Sequence, residues 1–213
     1  LPNYSEFYEL RHFTPGMEKV EMTDWEGVQV PMGMNLLFAC RTMPELVLAA
    51  ELCEDVWVPC PPSISHALAG ATVIANCSAS DETTGKDQYR YNLICGQSAR
   101  LVCGYIYANA GEGESTTDLV FGGHNIIAEN GTILKESGRY RNEIIYSEFD
   151  LERITGERRK NTTFQTAKER SLIRVGFQIE KGETSLTRTF PKKPFVPSDE
   201  QTRAARCEEI LTI

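Results

Sequence analysis

Cys53 is the residue whose type and setting most directly suggest covalent chemistry. It lies in the segment ELCEDVWVPCPPS, residues 51–63, where the thiol is followed by two acids, a tryptophan and three prolines. The thiolate is the nucleophilic form of cysteine, and nearby negative charge opposes its formation. Glu54 and Asp55 alone would therefore make Cys53 less reactive. If Cys53 is catalytic, a positive group from elsewhere must offset these acids.

The seven cysteines of the chain give no pattern typical of a metal site or a disulfide framework. Their number is odd, their positions are scattered, no CxxC pair occurs, and the three histidines do not complete a zinc spacing. A free cysteine is most often a small buried hydrophobe. We therefore expect free thiols without a structural metal, in a reducing, cytoplasmic compartment.

The composition is that of an ordinary globular protein, with 41% hydrophobic and 24% charged residues among 213. The net charge of -8 argues against a surface for nucleic acid or an anionic membrane, because such a surface needs a basic patch. No apolar run approaches the ~20 residues that span a bilayer. The first residues, LPNYSEFYEL, include neither an initiator methionine nor a signal-peptide pattern, so we expect them to be the interior of a longer chain.

Hydrophobic periodicity predicts alternating strands and helices on both sides of Cys53. A buried strand is expected over residues 46–52, and PPSISHALAGA predicts a short helix with Ser63 as N-cap and an end at Gly70. TVIANC is typical of a strand buried on both faces. KDQYRYNLICGQSARLVC predicts a longer helix. Its spacing predicts one buried face, formed by Tyr91, Cys95, Ser98 and Val102.

Further strands are expected in GYIYANA and SLIRVGFQI, and a short helix in FDLERITGERRK. Asn130-Gly131 between apolar runs is typical of a hairpin with a type I′ turn, which needs two positive φ angles. The prolines of FPKKPFVP indicate a linker, and Ser198 with Gln201 predicts a capping box at the start of a last helix. We therefore divide the chain into a domain at residues 1–190 and a linker with one helix at residues 191–213.

Cys53 falls directly after a predicted buried strand and before a proline-rich turn into a helix. In layered α/β folds, ligands and catalytic groups gather at strand ends, which makes Cys53 a better candidate than the other cysteines. The residues alone leave two interpretations open, a nucleophile or one more buried cysteine with acidic neighbours. We interpret His124 in FGGHN as structural, because the adjacent glycines indicate tight backbone packing. GEGESTTD lacks the lysine of a phosphate-binding loop.

Several segments resemble one protein family. ELCEDVWVP resembles the nucleophile segment of the nitrilase (carbon–nitrogen hydrolase) superfamily. Four other segments resemble, more specifically, the glutaminase domain of the glutamine-dependent NAD synthetase family. They are LPNYSEFYELRHF, GATVIANCSAS, GYIYANAGEGESTTDLVFGGHNIIAENG and FVPSDEQTRAARCEEIL. With interruptions near residues 138–195, the resemblance covers nearly the whole chain.

The resemblance implies an α/β fold, the nitrilase-like four-layer α-β-β-α sandwich. This chain would be the C-terminal share of that sandwich, with the N-terminal strands missing. Residues 1–190 would form a nitrilase-like glutamine amidotransferase domain, and residues 191–213 the linker and first helix leading to a synthetase domain that this chain does not contain. ATP and Mg2+ are the cofactors implied for that synthetase domain, and none is implied for residues 1–190.

The same resemblance implies a Glu–Lys–Cys site. Cys53 would be the nucleophile that attacks the side-chain amide of L-glutamine, and the backbone N–H of Glu54 would contribute to the oxyanion hole. The family's glutamate base and lysine would both lie upstream of Leu1, so the positive group that Cys53 requires would come from that segment. Glu9 would be a second, supporting glutamate.

Three further residues match family positions that hold the glutamine, namely Tyr4, Ser80 and Lys86. Lys86 stands where the family more often has arginine, and a single ammonium grips a carboxylate less rigidly than a guanidinium does. Without the resemblance, Ser80 would be interpreted as a turn residue and Lys86 as a solvated charge.

The implied function is hydrolysis of glutamine to glutamate and ammonia, with the ammonia passed to an ATP-dependent synthetase that amidates deamido-NAD to NAD. A cytoplasmic homo-oligomer is expected, with no nucleic acid, membrane or metal partner. Because the Glu and Lys would be missing, residues 1–213 alone are expected to be inactive. Two alternatives stay open: a stand-alone nitrilase-family amidase, and a non-catalytic nitrilase-like module that builds oligomer contacts.

Overall fold

The structure is a computed structural model that describes residues 9–114, 118–164, 172–190 and 192–213. These described residues form nine strands and four helices. The strands are β1 (Glu21–Trp25), β2 (Val28–Met32), β3 (Leu36–Cys40), β4 (Val47–Leu52), β5 (Val73–Ser78), β6 (Gly104–Asn109), β7 (Ile126–Glu129), β8 (Thr132–Glu136) and β9 (Ile173–Phe177). The helices are α1 (Pro62–Leu68), α2 (Lys86–Leu101), α3 (Leu151–Lys160) and α4 (Glu200–Thr212).

Seven strands form one mixed sheet in the order β8-β7-β6-β5-β4-β3-β9, and β1 pairs with β2 in a separate hairpin. The three central strands, β4, β5 and β6, are parallel. Strands β7 and β8 continue the sheet antiparallel to β6 on one side. On the other side β3 is antiparallel to β4 and parallel to β9. The carboxyl ends of β4, β5 and β6 therefore meet at one edge of the sheet.

One face of the central sheet is fully buried beneath α1 and α2. The paired residues Ala49, Ile74 and Tyr105 lie on this face and are at most 2% exposed. Helix α1 contacts β4, and α2 contacts β6 and β7. On the opposite face the side chains of β4 are half-buried or exposed, and Leu52 is 62% exposed. The alternation follows from the two-residue period of a strand.

The predicted elements around Cys53 are present, but two helix caps differ from the prediction. Ser63 lies inside α1 rather than at its N-cap, because the helix begins at Pro62, whose fixed φ suits the first helical position. The last helix begins one residue later than the predicted capping box requires. Asp199, not Ser198, is its N-cap, and the carboxylate accepts a hydrogen bond from the backbone N–H of Thr202 at 2.7 Å.

The buried face of α2 is also different from the prediction, which included the half-buried Tyr91 and Cys95. Polar side chains occupy part of the buried face because they have partners inside the protein: Arg90 pairs with Glu82, and Gln97 donates to Ser63. A count of apolar residues cannot anticipate such pairs. The buried residues of α2 are Arg90, Ile94, Gln97, Ser98 and Leu101.

The described residues divide into two compact units, one reaching Glu183 and one formed by Thr184–Ile213. The second unit contains α4, none of whose residues is buried. The predicted division at residues 190 and 191 stays a prediction. Among the described residues, no helix has the length and hydropathy needed to span a membrane.

The turn between β7 and β8 gives a stability prediction. Asn130 and Gly131 have φ angles of 43° and 82°, as the type I′ prediction requires, and a Cβ on Gly131 would lie 3.0 Å from the Cβ of Ala99. We expect Gly131→Ala to lower the free energy of unfolding by about 1–2 kcal/mol, measured by urea denaturation. Asn130→Gly is the control, because glycine adopts positive φ freely and should change stability by less than about 1 kcal/mol. Equal losses in the two variants would contradict this explanation.

Candidate active site

Cys53 is the first residue after β4 and opens a 3-10 turn that covers Cys53–Val56. Its backbone has φ 42°, which is uncommon for a residue other than glycine and is found preferentially at functional sites. The thiol forms no disulfide and is half-buried. The chain therefore turns sharply at Cys53, at the edge of the sheet where three parallel strands end.

The acids around Cys53 have structural partners. The Asp55 carboxylate is buried and accepts a hydrogen bond from the Leu52 backbone N–H at 2.8 Å, which closes the turn over Cys53. The carboxylate of Glu51 accepts hydrogen bonds from the Tyr105 hydroxyl and, at 2.9 Å, from the Ser63 backbone N–H. Burial raises the pKa of the Glu51 carboxyl. These two acids thus fix the strand end that carries the thiol.

Ser80 follows β5 at the same edge and is 4% exposed. Its backbone N–H donates to the side-chain oxygen of Asn109 at 2.8 Å, and the Asn109 amide donates back to the Ser80 carbonyl at 3.3 Å. Asn109 ends β6, so this exchange joins the ends of two neighbouring strands. The buried Tyr107 hydroxyl lies beside Ser78 and Ser80, and burial is the main cause that raises the pKa of Tyr107.

Lys86 is the first residue of α2 and forms an ion pair with Asp81. Its ammonium also lies over the ring of Trp57, 5.6 Å from the ring centroid. Trp57 directly follows the turn that Cys53 opens, and its ring stacks on Tyr89 with 5.3 Å between centroids. The structure therefore connects Lys86 to the cysteine-bearing turn through the ring of Trp57, and it pairs Lys86 with an acid that the sequence analysis did not identify.

A network of buried polar side chains connects the loop that follows Ser80 with α2, the helix that Lys86 begins. Arg90 is fully buried and donates from both terminal nitrogens to Glu82 Oε2 at 3.1 Å. The same guanidinium contacts Nδ1 of His124 at 2.8 Å, and Nε2 of His124 lies 2.6 Å from the Glu136 carboxylate. Because an arginine can only donate, Nδ1 accepts and the ring proton lies on Nε2. This bonding agrees with a structural role for His124.

Sequence reasoning missed Arg90, Glu82 and Asp81. The sequence shows a basic residue next to the predicted buried positions of α2 and two adjacent acids before that helix. Such charges are far more often solvated than buried. The signal was therefore too weak to identify them.

The structure describes fewer contacts for the remaining predicted site residues. Tyr4 lies outside the described residues. Glu9 begins a short 3-10 turn, Glu9–Arg11, and its side chain also lies outside the described part. The carbonyl of Glu54 accepts a hydrogen bond from the Trp57 N–H at 3.0 Å. Within the described ranges, no cluster of three or more His, Cys, Asp or Glu side chains could hold a metal ion.

Comparison with known proteins shows which proteins this chain is similar to. No family model matches the chain. Curated proteins from Mycobacterium tuberculosis and Mycobacterium bovis, each a glutamine-dependent NAD(+) synthetase, are 41% identical to it over all of its length. The chain is homologous to glutamine-dependent NAD(+) synthetases. It spans about a third of the length of these relatives, 33% in both cases. The predicted resemblance to this family is confirmed.

Solved structures show a similar fold. A glutamine-dependent NAD(+) synthetase from Cytophaga hutchinsonii superposes with a TM-score of 0.52 and 30% identity, over 62% of this chain and 20% of that one. A member of branch 10 of the nitrilase superfamily from Saccharomyces cerevisiae has a TM-score of 0.53 and 22% identity, over 74% of this chain and 50% of its own. The predicted α/β, nitrilase-like fold class is confirmed.

The pairing of Arg90 with Glu82 gives a second stability prediction. Replacing Arg90 by methionine leaves a carboxylate that is 2% exposed without its main counter-charge. We expect Arg90→Met to lower the free energy of unfolding by about 3–5 kcal/mol. The double variant Glu82→Gln/Arg90→Met should lose less than the sum of the two single variants, because it removes both charges.

The matched control is Arg153→Met on the exposed surface of α3. This variant should change stability by less than about 0.5 kcal/mol. Additive losses at Glu82 and Arg90 in urea denaturation would contradict the interpretation of the pair as one buried unit.

Proposed function

We propose that the chain is the cysteine-bearing part of a glutaminase, which hydrolyses glutamine to glutamate and ammonia. The observation that carries the proposal is the position of Cys53, which forms no disulfide and has a left-handed backbone conformation at the carboxyl edge of three parallel strands. Homology to glutamine-dependent NAD(+) synthetases supports glutamine as the source of nitrogen. Ser80 and Lys86 lie at the same edge, which supports a substrate site there.

The proposed reaction has two steps. The Cys53 thiolate adds to the side-chain carbonyl carbon of glutamine, the carbon–nitrogen bond breaks, and ammonia leaves with a proton from a general acid. Water then attacks the glutamyl thioester, so that glutamate leaves and the thiol is restored. The backbone N–H of Glu54 would donate to the oxyanion in both steps. The family resemblance assigns the proton-transferring glutamate and the activating lysine to positions before Leu1.

Substrate binding is proposed for Tyr4, Ser80 and Lys86. Lys86 carries the positive charge that the α-carboxylate of glutamine requires, and it is 24% exposed, so a ligand can reach it. Glu9 is proposed as a supporting glutamate on the basis of the resemblance. No metal takes part in this proposed glutaminase reaction.

The ammonia is proposed to serve a synthetase that amidates deamido-NAD with ATP and Mg2+. The support is the name and the length of the relatives, which are about three times as long as this chain because it covers 33% of them. In this proposal residues 1–190 form the glutaminase domain, and residues 191–213 lead to the synthetase domain. The full protein is proposed to be a cytoplasmic homo-oligomer.

Replacement of Cys53 tests the proposal. In the full-length protein, Cys53→Ala should lower glutamine-dependent formation of NAD by roughly 10^4-fold or more, because the covalent intermediate cannot form. NAD formation from added ammonia should stay near the unmodified rate, since the thiol takes no part in that step. Both rates are measured by following NAD production.

The matched control is Cys60→Ala, which removes an exposed thiol seven residues further along. Both activities of this control should match those of the unmodified protein. If Cys53→Ala lowered the two activities equally, the thiol would not be a dedicated glutaminase nucleophile. If neither nitrogen source produced NAD in the unmodified protein while amides were hydrolysed, a stand-alone amidase would replace the proposed function.

A further inference from the structure

Asp81 and Lys86 form an ion pair of opposite charges beside the cysteine-bearing turn. Their side chains are 15% and 24% exposed, so both are largely shielded and yet reachable from solvent. The Lys86 ammonium lies 5.6 Å from the ring centroid of Trp57, which follows the turn that carries Cys53. The pair therefore presents one negative and one positive group at the carboxyl edge of β4 and β5.

The backbone holds Asp81 firmly in place. Its predecessor Ser80 exchanges two hydrogen bonds with Asn109. Its successor Glu82 is clamped by the buried Arg90, and the Glu82 N–H donates to a carbonyl in the segment before β7 at 2.7 Å. Asp81 itself forms a β-bridge with Phe121. Because the backbone is fixed on both sides of Asp81, little conformational entropy is lost when its carboxylate binds a ligand.

We propose that Asp81 binds the α-ammonium group of an amino-acid substrate while Lys86 binds its α-carboxylate. The inference rests on the proposed glutaminase function and specifies which amides the site accepts. In the absence of substrate each side chain neutralises the other. In its presence the zwitterion bridges them, with its carboxylate on Lys86 and its ammonium on Asp81.

The charges explain how this pair would select its substrate. Lys86 alone would accept any amide that carries a carboxylate. With Asp81 beside it the net charge of the pair is zero, so a ligand with only a carboxylate gains one attraction and meets one repulsion. A zwitterionic α-amino acid gains two attractions. Asp81 therefore rejects amides that lack the α-ammonium group.

A simpler interpretation is an ion pair that stabilises the loop and has no role in specificity. Loss of such a pair would disturb the site in the same way for every substrate. The two interpretations therefore predict different effects on a pair of substrates that differ only in the α-ammonium group. Glutamine and glutaramate are such a pair, because glutaramate keeps the amide and the carboxylate and has hydrogen in place of the ammonium.

The test compares kcat/KM for ammonia release from glutamine and from glutaramate in the full-length protein and its Asp81→Asn variant. We expect the variant to lose about 10- to 100-fold with glutamine, as for a charged hydrogen bond. With glutaramate it should retain or exceed the unmodified value, since the repulsion is gone. The matched control is Asp87→Asn, which removes the neighbouring carboxylate that pairs with Arg139 and should leave the ratio between the substrates unchanged.

Two results would overturn the inference. An equal loss with both substrates would show that Asp81 only supports the loop, and an unchanged preference for glutamine would show that it does not contact the ammonium. In either case activity of the unmodified protein with glutamine would leave the proposed function intact. Absence of ammonia release from glutamine by the unmodified protein would overturn the proposed function and the Asp81 assignment together.

Discussion

The position of Cys53 depends on a buried carboxylate two residues before it. Glu51 faces the helices from β4, and its two oxygens accept from Tyr105 on β6 and from the start of α1 at Ser63. One side chain thus ties the cysteine-bearing strand to a second strand and to the helix that follows the turn. Burial of the Glu51 carboxylate costs desolvation free energy, and the same desolvation raises the pKa of the carboxyl. A strand end fixed in this way holds the thiol in one place.

The strand pairing then determines which residues can share a site with Cys53. Strands β4, β5 and β6 are parallel and in register, with Leu52 opposite Cys77 and Ser78 opposite Asn109. Chain segments far apart in sequence consequently meet just beyond these strands. The ends are held by side chains as well as by the sheet: Asn109 holds Ser80, and Arg90 holds Glu82. Ser80 and Asp81, two of the proposed substrate contacts, are therefore held in place before any ligand binds, which lowers the entropic cost of binding.

Sequence patterns predicted the elements better than the polar groups between them. The strand before Cys53, the long helix α2 and the Asn130-Gly131 turn follow from periodicity and from turn chemistry, which are local properties. Ser80 and Lys86 are proposed as substrate contacts because of the family resemblance and not because of a pattern in the sequence. The buried position of Arg90 has no comparable local signal, because whether a charge is solvated or paired depends on a partner that folding brings near.

The acids near Cys53 are a second case in which the sequence did not predict a polar contact. From the sequence, the side chains of Glu54 and Asp55 were interpreted only as negative charge that opposes a thiolate. The structure gives Asp55 a separate task, because its carboxylate accepts the Leu52 backbone N–H and closes the turn. An acidic residue can thus be required for the geometry of a nucleophile even where its charge works against the reactivity of that nucleophile.

The proposed function depends most on the attack of Cys53 on the side-chain carbonyl carbon of glutamine. A glutamine analogue with a diazoketone in place of the amide tests this attack directly. Its diazo-bearing carbon, which takes the place of the amide nitrogen, loses dinitrogen and alkylates a thiolate that lies within reach of the adjacent carbonyl. The full-length protein is treated with the analogue, digested, and the peptides are identified by mass spectrometry. We expect one adduct, on Cys53, and we expect excess glutamine to prevent its formation. An adduct on another cysteine, or loss of glutaminase activity with Cys53 unmodified, would contradict it.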